Sequence, residues 1–350
     1  MSPSFHNRRA SGFGLVEIMV SLVIGMFGII IMMQLFALAE GQKRDTTGGD
    51  DAGNNGAIAL YELQRDIQQG GYGASDVKLI GCDLMLRTGV TLSAMAPVTI
   101  NPAAIPAGDA NTDTLLVVYG DSNGSPQGDG ITSQPATATY AVQTPTSFAA
   151  NDRVIAVLQN RPATCSLILD QVTGITASNL SVATGVAGVT NGTVYDLGQA
   201  PKILAYAIRG GNLTVCDYSA VDCSVAQGAV SAATWQAMWT PIASNIVSMR
   251  AEYGRDTSVP MDATVDVYDQ NTPNTACGWS AVYAARIVLV ARSAQFSKNA
   301  VTAARPTWMG SANTPIILTA NANWQNYRYK VFQTVVPIRN MAWLGVQPGC

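Results

Sequence analysis

Histidine is almost missing from this 350-residue chain: there is one, His6. It lies in a short stretch ahead of a long apolar run. Beyond that stretch no histidine remains to build a Ser-His-Asp triad, a Cys-His dyad or a Cys/His zinc site. Charge is scarce as well. Only 12% of residues are charged, and the formal net charge is −3, or −5 once Arg8 and Arg9 are set aside. After the apolar run the only basic pair of note is Lys43-Arg44, so an electrostatic footprint for nucleic acid is absent and direct nucleic-acid binding is not expected. None of the six cysteines forms a C-x-x-C pair. With no nucleophile and base in view and no metal-ligand set, neither enzymatic activity nor a cofactor is expected.

What the chain has is an apolar segment from Phe13 to Ala39 with a single ionisable side chain, Glu17. The leader before it, Met1 to Gly12, carries Arg8 and Arg9 and no acidic residue. About twenty apolar residues suffice to cross a bilayer as a helix. A charge inside such a helix costs at least ~2.5–3.5 kcal/mol on insertion scales, so Glu17 calls for a partner. Cleavage after Gly12 would supply one: Phe13 would gain a free α-amino group, and a neighbouring subunit stacked one step along would bring that amine against Glu17. The pair would then set the axial register between subunits. The alternatives are a signal anchor whose Glu17 snorkels to the interface and a cleaved secretory signal. The run is long for the latter, whose apolar region spans about 7–15 residues, and it has no A-x-A exit.

This N-terminus, Gly12-Phe13-Gly14-Leu15-Val16-Glu17 and then the uncharged run, resembles a type IV prepilin signal. The resemblance implies cutting between Gly12 and Phe13 by a prepilin peptidase and N-methylation of Phe13. It also resolves the orientation, which the basic residues at both ends of the helix leave ambiguous: leader inside, bulk outside.

In an exported domain Cys82, Cys165, Cys216, Cys223, Cys277 and Cys350 read as disulfides. Cys216 and Cys223 enclose a short segment and make the most defensible pair. Of the fifteen possible pairings, Cys82–Cys165 and Cys277–Cys350 complete the expected set, with buried free thiols as the alternative.

Gly41 to Gly56 is rich in Gly, Asp, Asn and Thr, and is either a weak spot in one long helix or a true break. Helical spacing returns with Ala57, Leu60, Leu63 and Ile67 as one apolar stripe, and Glu62, Gln64, Arg65 and Asp66 mostly opposite. Gly70-Gly71 closes the helix. The remainder reads as β. Thr114–Tyr119, Val154–Leu158, Ile203–Ile208, Leu213–Cys216, Ala281–Ala291 and Tyr327–Val336 are strand candidates. Ile246–Tyr253 alternates, with Val247, Met249, Ala251 and Tyr253 on one face and Ser248, Arg250 and Glu252 on the other. Turn-rich insertions at Gly120–Gly130 and Thr173–Thr193 separate the strands; the latter is expected as edge strands or a surface loop.

Several blocks in order are similar to PilW-type minor pilins: Leu63 to Gly73, Asp113 to Gly120, Ile246 to Gly254, Arg286 to Ser293 and Tyr327 to Asn340. The fold implied is α+β and pilin-like, a long N-terminal hydrophobic helix on an antiparallel β-rich domain. Its parts would be a leader (1–12), a transmembrane and polymerisation helix (13–40), a glycine-interrupted continuation (41–71) and a periplasmic or extracellular domain (72–350). The function implied is a minor pilin of a tip priming complex that supports pilus biogenesis and twitching, with other minor pilins and a tip adhesin as partners. Such a protein sits in the inner membrane before assembly and at the pilus tip afterwards. A type II secretion pseudopilin and a tip adhesin or ligand-binding subunit are the alternatives.

Other patterns are weaker. Asp121, Asn123, Ser125, Gln127 and Asp129 alternate as in an EF-hand Ca²⁺ loop, but Pro126 replaces its glycine and Thr132 its bidentate Glu; the reading taken is a solvated turn. Asp262, Asp266 and Asp269 read as exposed turn acids, and the six tryptophans as core.

Overall fold

The computed structural model describes residues 14–74 and 76–341, with backbone alone at 44–47. The chain forms two compact units, divided between Asp50 and Asp51. One helix, α1 (Leu15–Gln69), contributes to both. Between Gly41 and Gly56, where the sequence leaves either a helix or a break open, the helix runs through.

In the N-terminal unit α1 is apolar on every side from Ile18 to Ala39. Its large side chains between Leu15 and Leu38 are all exposed, from 42% at Ile30 to 75% at Leu15 and Phe36. Leu15 to Ala39 makes roughly 37 Å of helix at 1.5 Å per residue, enough to cross a bilayer. A helix with no polar face is suited to lipid or to other helices.

The C-terminal unit, from Asp51 onward, begins with the last turns of α1. The strands after it are β1 (Asp83–Arg87), β2 (Val90–Leu92), β3 (Val98–Ile100), β4 (Leu115–Tyr119), β5 (Asp129–Ala136), β6 (Thr139–Val142), β7 (Arg153–Val157), β8 (Ser166–Ile168) and β9 (Asp170–Ile175). Next come β10 (Asn179–Val182), β11 (Thr193–Gly198), β12 (Lys202–Arg209), β13 (Asn212–Asp217), helix α2 (Ala232–Met238), β14 (Thr240–Ser244), β15 (Ile246–Arg255), β16 (Val267–Asp269), helix α3 (Ala276–Ser280), β17 (Val282–Arg292) and β18 (Tyr329–Pro337). They form a five-stranded sheet β14-β13-β12-β4-β3, a four-stranded sheet β16-β15-β17-β18, a small sheet β2-β1-β8 and a closed barrel β10-β6-β5-β11-β7-β9. Pairing is antiparallel except for β1 with β8.

The five-stranded sheet is covered on both faces. Leu115, Val117, Tyr206 and Ile208 point into one core with α1 and the four-stranded sheet. Leu116, Val118, Ile203, Ala205 and Ala207 point into a second core with Leu84, Trp235 and Trp239. This two-sided burial is why β4 and β12 are nearly continuous apolar runs. The insertion at Gly120–Gly130 is a turn until it enters β5 at Asp129, whereas Thr173–Thr193 holds the end of β9, all of β10 and the start of β11, joined by turns. They supply parts of the barrel, whose own core holds Tyr140, Phe148, Leu180 and Val194.

The apolar stripe of α1 is displaced from the expected one. Ala52, Gly56, Ala59, Leu63 and Ile67 are buried, whereas Ala57 is exposed and Leu60 half-buried. The phase is set by a close approach. A Cβ added at Gly56 would lie 2.1 Å from the Phe332 ring on β18, and one at Gly53 would lie 3.0 Å from Lys330 Nζ. Each glycine weakens an isolated helix by ~1 kcal/mol relative to alanine; Gly56 offsets that by letting the helix pack directly on the strand. Burying Leu63 and Ile67 contributes about 1.5–3 kcal/mol apiece.

The alternation on β15 also differs. A bulge between Ile246 and Ser248 puts Ile246, Met249, Ala251 and Tyr253 in the core, and turns Val247 to the outer face. That face carries Glu252 as expected, but it is not solvated. Residues 293–328 fold over it with Trp308, Ile316 and Leu318. Glu252, wholly buried, pairs with Arg286 and accepts from Thr314 Oγ1 at 2.9 Å. The Arg286 guanidinium lies over Tyr268 and Trp308, 4.1 and 5.6 Å from the ring centres.

Candidate assembly site

Glu17 sits in the first turn of α1, where Glu17 N and Ile18 N both donate to Gly14 O, at 2.9 and 3.2 Å. Its side chain is exposed, and Ser21 Oγ donates to the Glu17 backbone carbonyl at 2.6 Å, not to the carboxylate. Among the described residues no side chain pairs with that carboxylate, so its acceptor capacity is left for another chain. Gly12 and Phe13 lie outside the described residues.

At its other end α1 is fastened to the sheets by polar contacts. Asp66, expected with its polar neighbours mostly opposite the apolar stripe, is instead buried, 3% exposed, between Leu63 and Ile67 in the stripe. It accepts from Tyr119 OH of β4 at 3.1 Å and from Tyr206 OH of β12, and Arg65 Nε bonds it at 3.2 Å. A buried carboxylate persists only when hydrogen-bonded and paired, and these three donors meet that need. Burial pushes the Tyr206 and Tyr119 phenols above their ordinary value, and the adjacent Asp66 charge adds to the shift. Gly71, at φ +85°, ends the helix. Asn340 Nδ2 then donates to the terminal carbonyls of Gln68 and Gln69, at 3.3 and 3.0 Å. Asp66 carries one readable signal: it comes three residues after Leu63 and one before Ile67, and so lies on the stripe. Asn340 carries none.

Two disulfides brace the C-terminal unit. Cys82–Cys165 ties the start of β1 to the entry of β8 across 83 residues, and Cys216–Cys223 closes a seven-residue step after β13. Cys277 is disulfide-bonded, but the expected partner Cys350 lies outside the described residues.

The remaining acidic candidates serve the local backbone. Asp121 accepts from Ala200 N and Asp129 from Thr144 N, at 3.1 and 2.7 Å. Asp269 pairs with Arg255, and Asp262 accepts from Thr264 N. Asp266 accepts from Thr257 N at 2.7 Å, which helps hold its carboxyl below the usual range. Among the described residues no three His, Cys, Asp or Glu side chains converge as a metal site. Trp235, Trp239, Trp279 and Trp308 are buried and Trp324 is partly so; Trp343 lies outside the described residues.

A leading helix apolar on all sides, with one unpaired carboxylate in its first turn and its far end locked onto antiparallel sheets, defines a pilin-like subunit. Residues 7–33 match the prokaryotic N-terminal methylation motif, and residues 211–340 match the family described as Type IV Pilus-assembly protein W. The second match runs from β13 to Asn340 and takes in the whole four-stranded sheet. Over residues 211–340 the chain is therefore similar to the type IV pilus-assembly protein W family, and its N-terminus carries the prepilin methylation motif. Its hydrophobic helix anchors it in a membrane before assembly, and its partners in general are pilins and a prepilin peptidase. No curated protein and no solved structure matches the chain.

Proposed function

We propose that this protein is a minor pilin that helps initiate type IV pilus assembly, as part of a priming complex at the pilus tip. Residues 13–40 would be its polymerisation helix, freed by cleavage between Gly12 and Phe13 and methylated at Phe13. Glu17 would receive the N-terminal amine of a neighbouring subunit. Before assembly the protein would span the inner membrane once with its bulk in the periplasm, and afterwards it would be at the cell surface. It acts by packing and not by catalysis.

The observation that carries this reading is the size of the C-terminal unit. A helix with two packed sheets would make a compact subunit, but this chain adds a six-stranded barrel and a small sheet. Such bulk suits a filament end, where no further subunit must fit above it, and suits repeated incorporation along a tightly packed fibre poorly.

The test is a deletion strain scored for surface pili and twitching, together with recovery of full-length tagged protein from detergent-solubilised membranes. The expected result is a large loss of pili, twitching and co-purified minor pilins, restored by the wild-type gene. Normal piliation with no pilin recovered would contradict it. Lost enzyme secretion with normal pili would favour a type II secretion pseudopilin.

A further inference from the structure

The described residues include four arginines whose Nε is buried without a hydrogen-bond partner: Arg209, Arg250, Arg255 and Arg292. Three of them are satisfied through their other nitrogens. Arg209 donates to the carbonyls of Ala107 and Pro106, Arg250 to Asp113, and Arg255 to Asp269. The Arg292 guanidinium is different. Among the described residues its side chain has no hydrogen bond and no ion pair; it stacks on the Tyr327 ring, 4.5 Å from its central carbon, opposite Tyr329 on β18.

Arg292 lines an open groove of about 390 Å³ at the end of β17. Val247, Leu318 and Tyr329 supply much of the wall, with the Gly210-Gly211 turn on the β12–β13 hairpin. Asp109 also lines the groove but makes no ion pair with the arginine. Its two oxygens accept from Gly210 N and Gly211 N, at 2.9 and 2.7 Å. The Tyr329 phenol donates to Trp324 O at 2.9 Å. Beside the groove Phe296 is 55% exposed and packs edge-on against Tyr327, 5.5 Å between ring centres.

A guanidinium stacked on a ring has its face occupied and its in-plane N–H edge free. That edge matches a planar carboxylate with two parallel hydrogen bonds. Removing it from bulk water without such a partner is unfavourable. We infer that this groove receives an Asp or Glu side chain of a neighbouring pilin, with Arg292 as its charge partner and Phe296, Leu318 and Val247 as the apolar surround. The inference rests on the proposed function, that the protein packs against other pilus subunits. Apart from Asp109 and Gly210, the groove residues named lie within the segment that matches the pilus-assembly family.

The test uses full-length tagged protein purified from its own cells. R292Q removes the charge and the stack on Tyr327 but no internal ion pair, so its thermal midpoint is expected to fall only slightly while recovery of one pilin falls at least about tenfold. R292K keeps the charge and adds an amine that a carbodiimide can join directly to a touching carboxylate. Peptide mapping should then find an amide from position 292 to an Asp or Glu of that pilin. Wild-type pilin recovery by R292Q would overturn the groove inference alone, as would R292K cross-links confined to Asp109 of the same chain. No pilin recovered with wild type would overturn the pilus reading and the groove with it.

Discussion

Asp66, near the end of α1, accepts a hydrogen bond from Tyr206 in the middle of the five-stranded sheet. The contact spans 140 residues of sequence and fixes the helix exit over the sheet centre. Tyr206→Phe removes a donor to a buried carboxylate and is expected to cost ~1.5–3 kcal/mol, with Asp66→Ala at the upper end because two phenols lose their acceptor. Chemical denaturation of the full-length protein measures both.

The same tyrosines set an alkaline limit. Burial raises the phenols of Tyr119, Tyr206 and Tyr218, and Tyr253 is pushed up to about 12. A group with a raised folded value stabilises fully below its unfolded value and loses that contribution as pH rises towards the folded one. The phenols therefore contribute constantly below about pH 10, the ordinary tyrosine value, and the fold weakens above it. Tyrosinate absorbance should show a buried class that ionises only as the protein unfolds. Free titration of all tyrosines near pH 10 in folded protein would count against this core.

Gly49 and Gly56 lie in one helix and should respond with opposite sign. A Cβ at Gly49 meets nothing within 4 Å, so Gly49→Ala is expected to stabilise by up to ~1 kcal/mol. At Gly56 the Phe332 ring is in the way, and Gly56→Ala is expected to destabilise by about 1–2 kcal/mol through overpacking. In a Phe332→Ala background that penalty should vanish, which a double-mutant cycle reads directly.

The two described disulfides differ in the length of chain they close, 83 residues against seven. On loop entropy alone, removing Cys82–Cys165 should cost about 2 kcal/mol more than removing Cys216–Cys223. Paired Cys→Ser variants compared by denaturant midpoint, with non-reducing peptide mapping of the natively exported protein, test this.

Glu17→Ala should leave expression and membrane insertion intact, because a lone helix gains by losing a charge in lipid. Co-purification with partner pilins should fall; a tenfold loss corresponds to ~1.4 kcal/mol. Wild-type co-purification would remove Glu17 from any role in register.

Legibility in the sequence depends on contrast. Glu17 stands out because it is the only charge in a long apolar run, and β4 and β12 because both of their faces are covered. The barrel is hidden because its strands draw on Thr, Gly, Ser and Ala, whose small side chains give weak alternation. The outer face of β15 looks solvated because Arg250 and Glu252 are charged, and only the distant segment around Trp308 and Thr314 shows that they are enclosed. Gly56 reads as a weakness of the helix because its reason, Phe332, lies 276 positions away. The one-residue difference between Ala57 and Gly56 has the same origin, since tertiary packing sets the phase of the helix.

The central claim is that Phe13 heads the mature protein as a pilin's first residue. Intact-mass analysis of the membrane-extracted protein tests it most directly. The predicted result is a chain that begins at Phe13 with one methyl group on its α-amine and lacks Met1 to Gly12. A mass that retains the leader, or a mature N-terminus at any other residue, would contradict it.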